Sequence, residues 1–275
     1  MESRIASALH LETNPVALLW SDECPQDSLR FKTGRWGCVM MHVAQVAARG
    51  RTAAFDRETY GCWGGGVGLG FGNCYRDFPG GEEVFCGFLS TGNRGNPRGE
   101  AVAEQLRPHV TREFHEELVE GERYLASPAL VRDFIDRLPM MDIPARYVVF
   151  HPLGAVDTER ETPVSVTFFA PPDQLSALVV LANHGSAGGD RVALPWGAAC
   201  QQIGILAYRG GEQAPQRAVV GLTDLSARKS TRAHLGSGTL SFTVPFAMFL
   251  EMEQAVEGSF LERATWAHLL ERRQG

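Results

Sequence analysis

From Gly61 to Gly72 the chain reads Gly-Cys-Trp-Gly-Gly-Gly-Val-Gly-Leu-Gly-Phe-Gly, and nothing else in the sequence limits the fold so strongly. Each glycine inside a helix costs about 1 kcal/mol relative to alanine, because an unordered glycine has the most backbone freedom to lose. So dense a run is expected to avoid regular helix. It should form a string of turns, or backbone laid close against something bulky. Cys62 stands inside the run, so a thiol and that bulky neighbour belong to one place. The glycines do not spell G-x-G-x-x-G and do not lead into Gly-Lys-Ser/Thr, which excludes the dinucleotide and P-loop readings. The chain also lacks a Gly-x-Ser-x-Gly elbow, which argues against a serine hydrolase.

A chain of 275 residues, 44% hydrophobic and 21% charged, can bury a sizeable core in one large domain or two small ones. Its formal charge of −6, with no basic stripe and only an isolated Arg272-Arg273 pair near the end, argues against nucleic acid as a partner. The opening Met1-Glu2-Ser3-Arg4-Ile5 lacks a signal-peptide n-region. No apolar run approaches the roughly 18 residues that span a bilayer, so a cytoplasmic location without membrane contact is expected. In a reducing compartment the six cysteines are core residues, redox thiols or metal ligands and not a disulfide framework.

Periodicity places short helices over residues 2–11, 38–48 and 82–88, and a long one over 100–120 that Pro108 kinks. Further helices are expected over 130–138, over 173–181 with Asp173 as a cap, over 200–207, and from Phe246 to about Arg273 with a break near Gly258. Strands are expected over 16–20, 52–55, 147–150, 164–169, 218–222 and 240–244. The class is therefore α/β or α+β. One domain over 1–275 is expected, with halves at 10–95 and 145–255 and a helical insertion at 96–144.

The halves echo each other. Asn14-Pro15-Val16-Ala17-Leu18-Leu19-Trp20 resembles Thr162-Pro163-Val164-Ser165-Val166-Thr167-Phe168, and Arg35-Trp36-Gly37-Cys38 resembles Pro195-Trp196-Gly197-Ala198-Ala199-Cys200. Each Cys opens an apolar helix closed by Arg-Gly, and each helix leads to a strand that ends at a potential ligand, Cys62 or Asp224. The same number of residues separates Cys38 from Cys62 as separates Cys200 from Asp224. A pseudo-two-fold axis would bring Cys38, Cys62, Cys200 and Asp224 together between the halves.

Soft thiolates suit iron, and four ligands cover a cubane cluster, so this set points to a 4Fe-4S iron–sulfur cluster held by three Cys and one Asp. Zinc, which accepts Cys sulfur and Asp oxygen, is the alternative. Gly61, Gly64, Gly65 and Gly66 would place backbone N–H groups toward the cluster sulfurs. Cys24, Cys74 and Cys86 read as bystanders, with Cys74 the reserve ligand, and His42 as a core or helix-surface residue one turn past Cys38. No catalytic residue is legible.

Gly61-Cys62-Trp63-Gly64-Gly65 with Leu69-Gly70-Phe71, Phe88-Leu89-Ser90-Thr91-Gly92 and Tyr147-Val148-Val149-Phe150-His151-Pro152-Leu153 resemble the domain-of-unknown-function family 169. So do residues 171–181, Ala198-Ala199-Cys200, Ala227-Arg228 and Phe242-Thr243-Val244-Pro245, and the likeness spans residues 10–255. The resemblance implies ligand cysteines at Cys38, Cys62 and Cys200. It also implies a fourth, in Gly-Cys-x-Gly-x-Arg, where this chain reads Thr223-Asp224-Leu225-Ser226-Ala227-Arg228. The expected function is a cluster-bearing protein with a redox or lyase-like role. The alternative is a metal-free or zinc-stabilised small-molecule-binding protein. A small-molecule ligand and a homodimer are compatible with either.

Overall fold

In Ser165-Val166-Thr167-Phe168, alternate side chains point to opposite faces, so one face receives Val166 and Phe168 and the other Ser165 and Thr167. This strand lies at the centre of a seven-stranded sheet in the computed structural model, which describes residues 1–271. The strands are β1 (Val16–Ser21), β2 (Ala53–Phe55), β3 (Tyr147–Pro152), β4 (Ser165–Ala170), β5 (Val192–Ala193), β6 (Ala218–Gly221) and β7 (Leu240–Pro245). Their order is β2-β3-β1-β4-β7-β6-β5. All neighbours are antiparallel except β5, which runs parallel to β6. Outward from the β1·β4 junction, both sides run in a matching sequence, β1-β3-β2 on one and β4-β7-β6 on the other.

One face of the sheet carries the main core, where Leu19, Val166, Phe168, Phe242 and Val244 pack with Ile5, Leu178, Met248 and Phe249 from helices. The other face is more polar. Thr167 and Thr243 meet across β4 and β7 with their Oγ1 atoms 3.0 Å apart, and the Ser165 hydroxyl donates to the Ile203 carbonyl at 3.5 Å. Small side chains here let helices lie close. Among the described residues no helix is long and apolar enough to cross a membrane.

The mixed α/β class is as the sequence indicates, but several elements differ. The glycine run is a helix after all, Trp63–Leu69, with Cys62 as N-cap and Gly70 closing it in the left-handed conformation (φ 87°). Tertiary packing overrides the propensity cost. A Cβ on Gly65 would lie 2.7 Å from Val39 Cγ2, and one on Gly68 would lie 2.6 Å from the Cys200 carbonyl carbon. The helix expected over 200–207 is two, Ala199–Ile203 and Ile205–Gly211, broken at Gly204. The long helix over 100–120 is also two, Pro97–Leu106 and Arg112–Glu120, because Pro108 lacks an N–H and Thr111 starts afresh as an N-cap. Asp173 lies in the first turn of Pro172–Asn183, and Pro171 holds the cap position. The last expected helix divides into Phe246–Gln254, a 3₁₀ turn at Phe260–Glu262, and Ala264–Glu271. Residues 272–275, including Arg272 and Arg273, lie outside the described part.

Among the described residues, 1–71 and 141–271 form one compact unit and 72–140 another. The second is built of helices around stacked rings, with Tyr75 and Phe85 centroids 4.2 Å apart and Phe78 edge-on to Phe85. Inside it the buried Asn93 amide donates to the Val84 and Leu118 carbonyls at 3.1 and 3.0 Å.

The Gly68–Gly204 crossing yields a direct test. A Cβ on Gly204 would stand 2.0 Å from the Gly68 carbonyl oxygen, whereas one on Gly154 would meet nothing within 4 Å. Gly204→Ala is expected to destabilise the chain by about 3 kcal/mol in urea denaturation, as overpacking against backbone does. Gly154→Ala should stay within about 0.5 kcal/mol, as surface changes do. Equal stability of the two variants would remove the crossing as a constraint.

Candidate metal centre

Each of the four expected ligands opens a helix. Cys38 is the N-cap of Val39–Arg49 and makes no side-chain cap bond to it. Cys62 caps Trp63–Leu69, its Sγ accepting from Gly65 N–H at 3.3 Å. Cys200 is the second residue of Ala199–Ile203. Asp224 caps Leu225–Thr231, its Oδ1 accepting from Ser226 N–H at 2.9 Å and Ala227 N–H at 3.2 Å. Helix starts leave backbone N–H groups unpaired, and these favour nearby negative charge.

The four starts are joined in a closed circuit of contacts. Cys38 opens the helix Val39–Arg49, which packs against the helix that Asp224 caps. Asp224 Oδ2 accepts from Ala199 N–H, next to Cys200, at 3.4 Å. The Cys200 thiol donates to the Gly64 carbonyl, two residues past Cys62, at 3.0 Å. Gly65 closes the circuit, since its Cβ position lies 3.5 Å from Cys62 Sγ and 2.7 Å from Val39 Cγ2, beside Cys38. Of the other glycines singled out, Gly61 packs on the Phe31 ring with φ 80°, and the Gly66 N–H is spent on the Cys62 carbonyl within the helix.

Burial raises the Cys38 thiol above its ordinary pKa, and the Asp224 charge adds to the shift. Burial raises Cys200 further, with Cys62, Cys38 and Asp224 all contributing. Asp224 is raised by burial too, against the backbone N–H groups of Ala227, Ala199 and Ser226 that stabilise its charge. No cation contributes at any of the three. Arg228 does not pair with Asp224. Its guanidinium donates to the Leu222, Thr239 and Ser237 carbonyls. Among the described residues, no three His, Cys, Asp or Glu side chains are gathered closely enough to hold one metal ion.

The remaining cysteines and His42 have none of the contacts just described. Cys24 sits 3.5 Å from Ser28 Oγ in its loop. Cys74 and Cys86 are buried in the 72–140 unit, where burial pushes the Cys86 thiol up to about 11. His42 is a core residue between the Phe31 and Phe55 rings, with both nitrogens buried and unbonded, and burial with Arg51 nearby lowers its pKa.

Sequence reasoning missed Gln202, which is fully buried. Its Oε1 accepts from Leu222 N–H at 2.8 Å, and its Nε2 donates to Thr223 Oγ1 and the Pro195 carbonyl, both at 2.8 Å. Leu222 has φ 60°, a strained conformation for leucine, and Gln202 holds it there two residues before Asp224. The available signal was a Gln-Gln pair inside an otherwise apolar helix beside Cys200.

No curated protein and no solved structure matches the chain. One family model does, over residues 4–255, and its description is domain of unknown function 169, uncharacterised ArCR. With that match covering nearly its whole length, the chain belongs to family 169.

Proposed function

We propose that this is an iron–sulfur protein in which Cys38, Cys62, Cys200 and Asp224 hold a 4Fe-4S cluster between two repeated halves, serving a redox or lyase-like role. The observation that carries this reading is the closed circuit of four helix starts. Cys200 is buried, Cys38, Cys62 and Asp224 are half-buried, and no cation acts on Cys38, Cys200 or Asp224. Ionised, such a set needs a positive centre, because an unpaired buried charge is costly. Bound iron would supply that charge and ionise the thiols. The helix starts and the Gly65 N–H would favour the anionic sulfurs.

The repeat is part of the same proposal. It is supported by the matching strand order on the two sides of the β1·β4 junction. It is also supported by the capping roles of Cys62 and Asp224, each on a seven-residue helix. A single zinc draws its sulfurs to about 4 Å apart, and no such group is present among the described residues. A cubane spreads its ligands over separate irons, roughly 6–7 Å apart. When bound, a cluster with one oxygen ligand offers an iron that exchanges more readily than the others. The second reading, a metal-free binding protein, is favoured by the backbone bonds that Asp224 and Cys200 already make.

Protein purified without oxygen is expected to be brown, with visible absorption and about four irons and matching acid-labile sulfide per chain. Colourless protein with neither iron nor sulfide, after reconstitution as well, would sink the proposal.

Asp224→Asn separates ligand from cap, since asparagine caps a helix as well as aspartate does. Stability should be unchanged, while one iron becomes labile and the electron-paramagnetic-resonance spectrum shifts. Asp224→Ala should lose the iron and also about 1 kcal/mol of stability, typical of a lost cap. If iron content and spectrum survive in both variants, Asp224 is only a cap.

A further inference from the structure

His42 is only 9% exposed, and both of its ring nitrogens are buried without a hydrogen-bond partner. A buried polar group without a partner costs stability, so its place in the core calls for a reason. The ring stands in a triangle. The Phe31 centroid lies 4.5 Å away and the Phe55 centroid 6.0 Å, and those two are 6.0 Å from each other. Neither neighbour is an expected ligand of the candidate centre.

Phe31 also rests on two glycines. A Cβ on Gly37 would stand 2.3 Å from Phe31 Cε1, and one on Gly61 would stand 2.6 Å from Cε2. The Gly37 N–H donates to the Gly61 carbonyl at 3.3 Å, so one ring holds two turns of the chain together. Trp36 precedes Gly37 and Trp63 follows Gly61 by two residues, and their rings stack with centroids 4.1 Å apart. Cys38 and Cys62 are the next residues after the two glycines. His42 thus supports Phe31, Phe31 supports the glycine pair, and the pair carries the tryptophan stack.

Neutral imidazole fits this box and imidazolium does not. Two phenyl rings offer a cation a weak attraction but accept neither of its N–H bonds. Burial and the nearby Arg51 hold the His42 pKa below the ordinary histidine value. The Phe31 loop brings Arg30, Lys32 and Arg35. The elements packed on the Val39–Arg49 helix carry or adjoin Asp56, Tyr147, His151, Cys200, Arg228 and Lys229. Arg51 alone acts on His42. The one carboxylate in that set, Asp56, is paired with Arg30 at 3.1 Å, and His151 is bonded to Thr52 at 2.9 Å. A proton on His42 has no such partner, and a buried charge without one drives the ring toward water.

We propose that His42 and Phe31 form a pH-sensitive latch, in which protonation of His42 frees Phe31 and opens the Gly37–Gly61 pair and the Trp36–Trp63 stack while the sheet stays folded. The latch is built of rings and backbone and does not rest on the cluster reading. It loosens, in acid, the two turns that hold Cys38 and Cys62. The closed form binds fewer protons than the open one. The latch is therefore shut above the ordinary histidine pKa of about 6.5 and loosens as the pH falls below it.

The test is a titration of the full chain from about pH 8 to about pH 5, across the range where histidine changes charge. Near-ultraviolet circular dichroism reports the stacked tryptophans, far-ultraviolet circular dichroism reports the fold, and iron is measured in every sample. The near-ultraviolet signal should fall by about half or more below roughly pH 6.5 while the far-ultraviolet signal holds. Trp36→Phe should remove the signal that responds. His42→Phe and His42→Leu keep an apolar filler without the titrating group, and neither should show the step. His151→Gln and His234→Gln should keep it. A flat titration of the unaltered chain would overturn the proposal. So would a step that persists in both His42 variants, or one that follows loss of iron in them.

Discussion

The helix of glycines and the helix of Cys200 cross with backbone against backbone, and the rest of the arrangement follows from that contact. Gly68 faces the Cys200 peptide, and Gly204 faces the Gly68 carbonyl. Any side chain at either position would push the helices apart. Their closeness brings the Cys200 thiol onto the Gly64 carbonyl and so ties the start of one helix to the start of the other. The polar, small-residue face of the sheet at Ser165, Thr167 and Thr243 serves the same end, since bulkier residues would lift the Cys200 helix.

This contact also explains where sequence reading succeeded and where it failed. The glycine run was legible as backbone packed close to something bulky. It was not legible as helix, because local propensity opposes helix and only the partner, far away in sequence, overrides it. Gly50 ended its helix as expected, in the left-handed conformation. Pro108 stopped a helix outright instead of kinking it, because Thr111 offered a new start. The two-residue strand β5 was invisible, since Val192-Ala193 has no periodicity to read.

At the candidate centre, the positions were legible and their supports were not. Cys38, Cys62, Cys200 and Asp224 stand out because two similar stretches repeat them at equal separation. Gln202 acts through hydrogen bonds to Pro195, Leu222 and Thr223, and the Gln-Gln pair in its helix marks a polar residue without naming these partners. Gln202 in particular holds a left-handed leucine in place, a constraint visible only once backbone angles are known.

The circuit draws on residues from Cys38 to Asp224, with the whole 72–140 unit inserted between its parts. No two of the four expected ligands are near neighbours in the chain. During synthesis on the ribosome the first half emerges with Cys38 and Cys62 already made, but their partners do not yet exist. Closing so long a loop is slow, and native pairing must wait for the last strands. A local zinc finger can fold around its metal as it emerges. The four positions meet only when the sheet has closed, so no ligand held by all four could seed folding in that way.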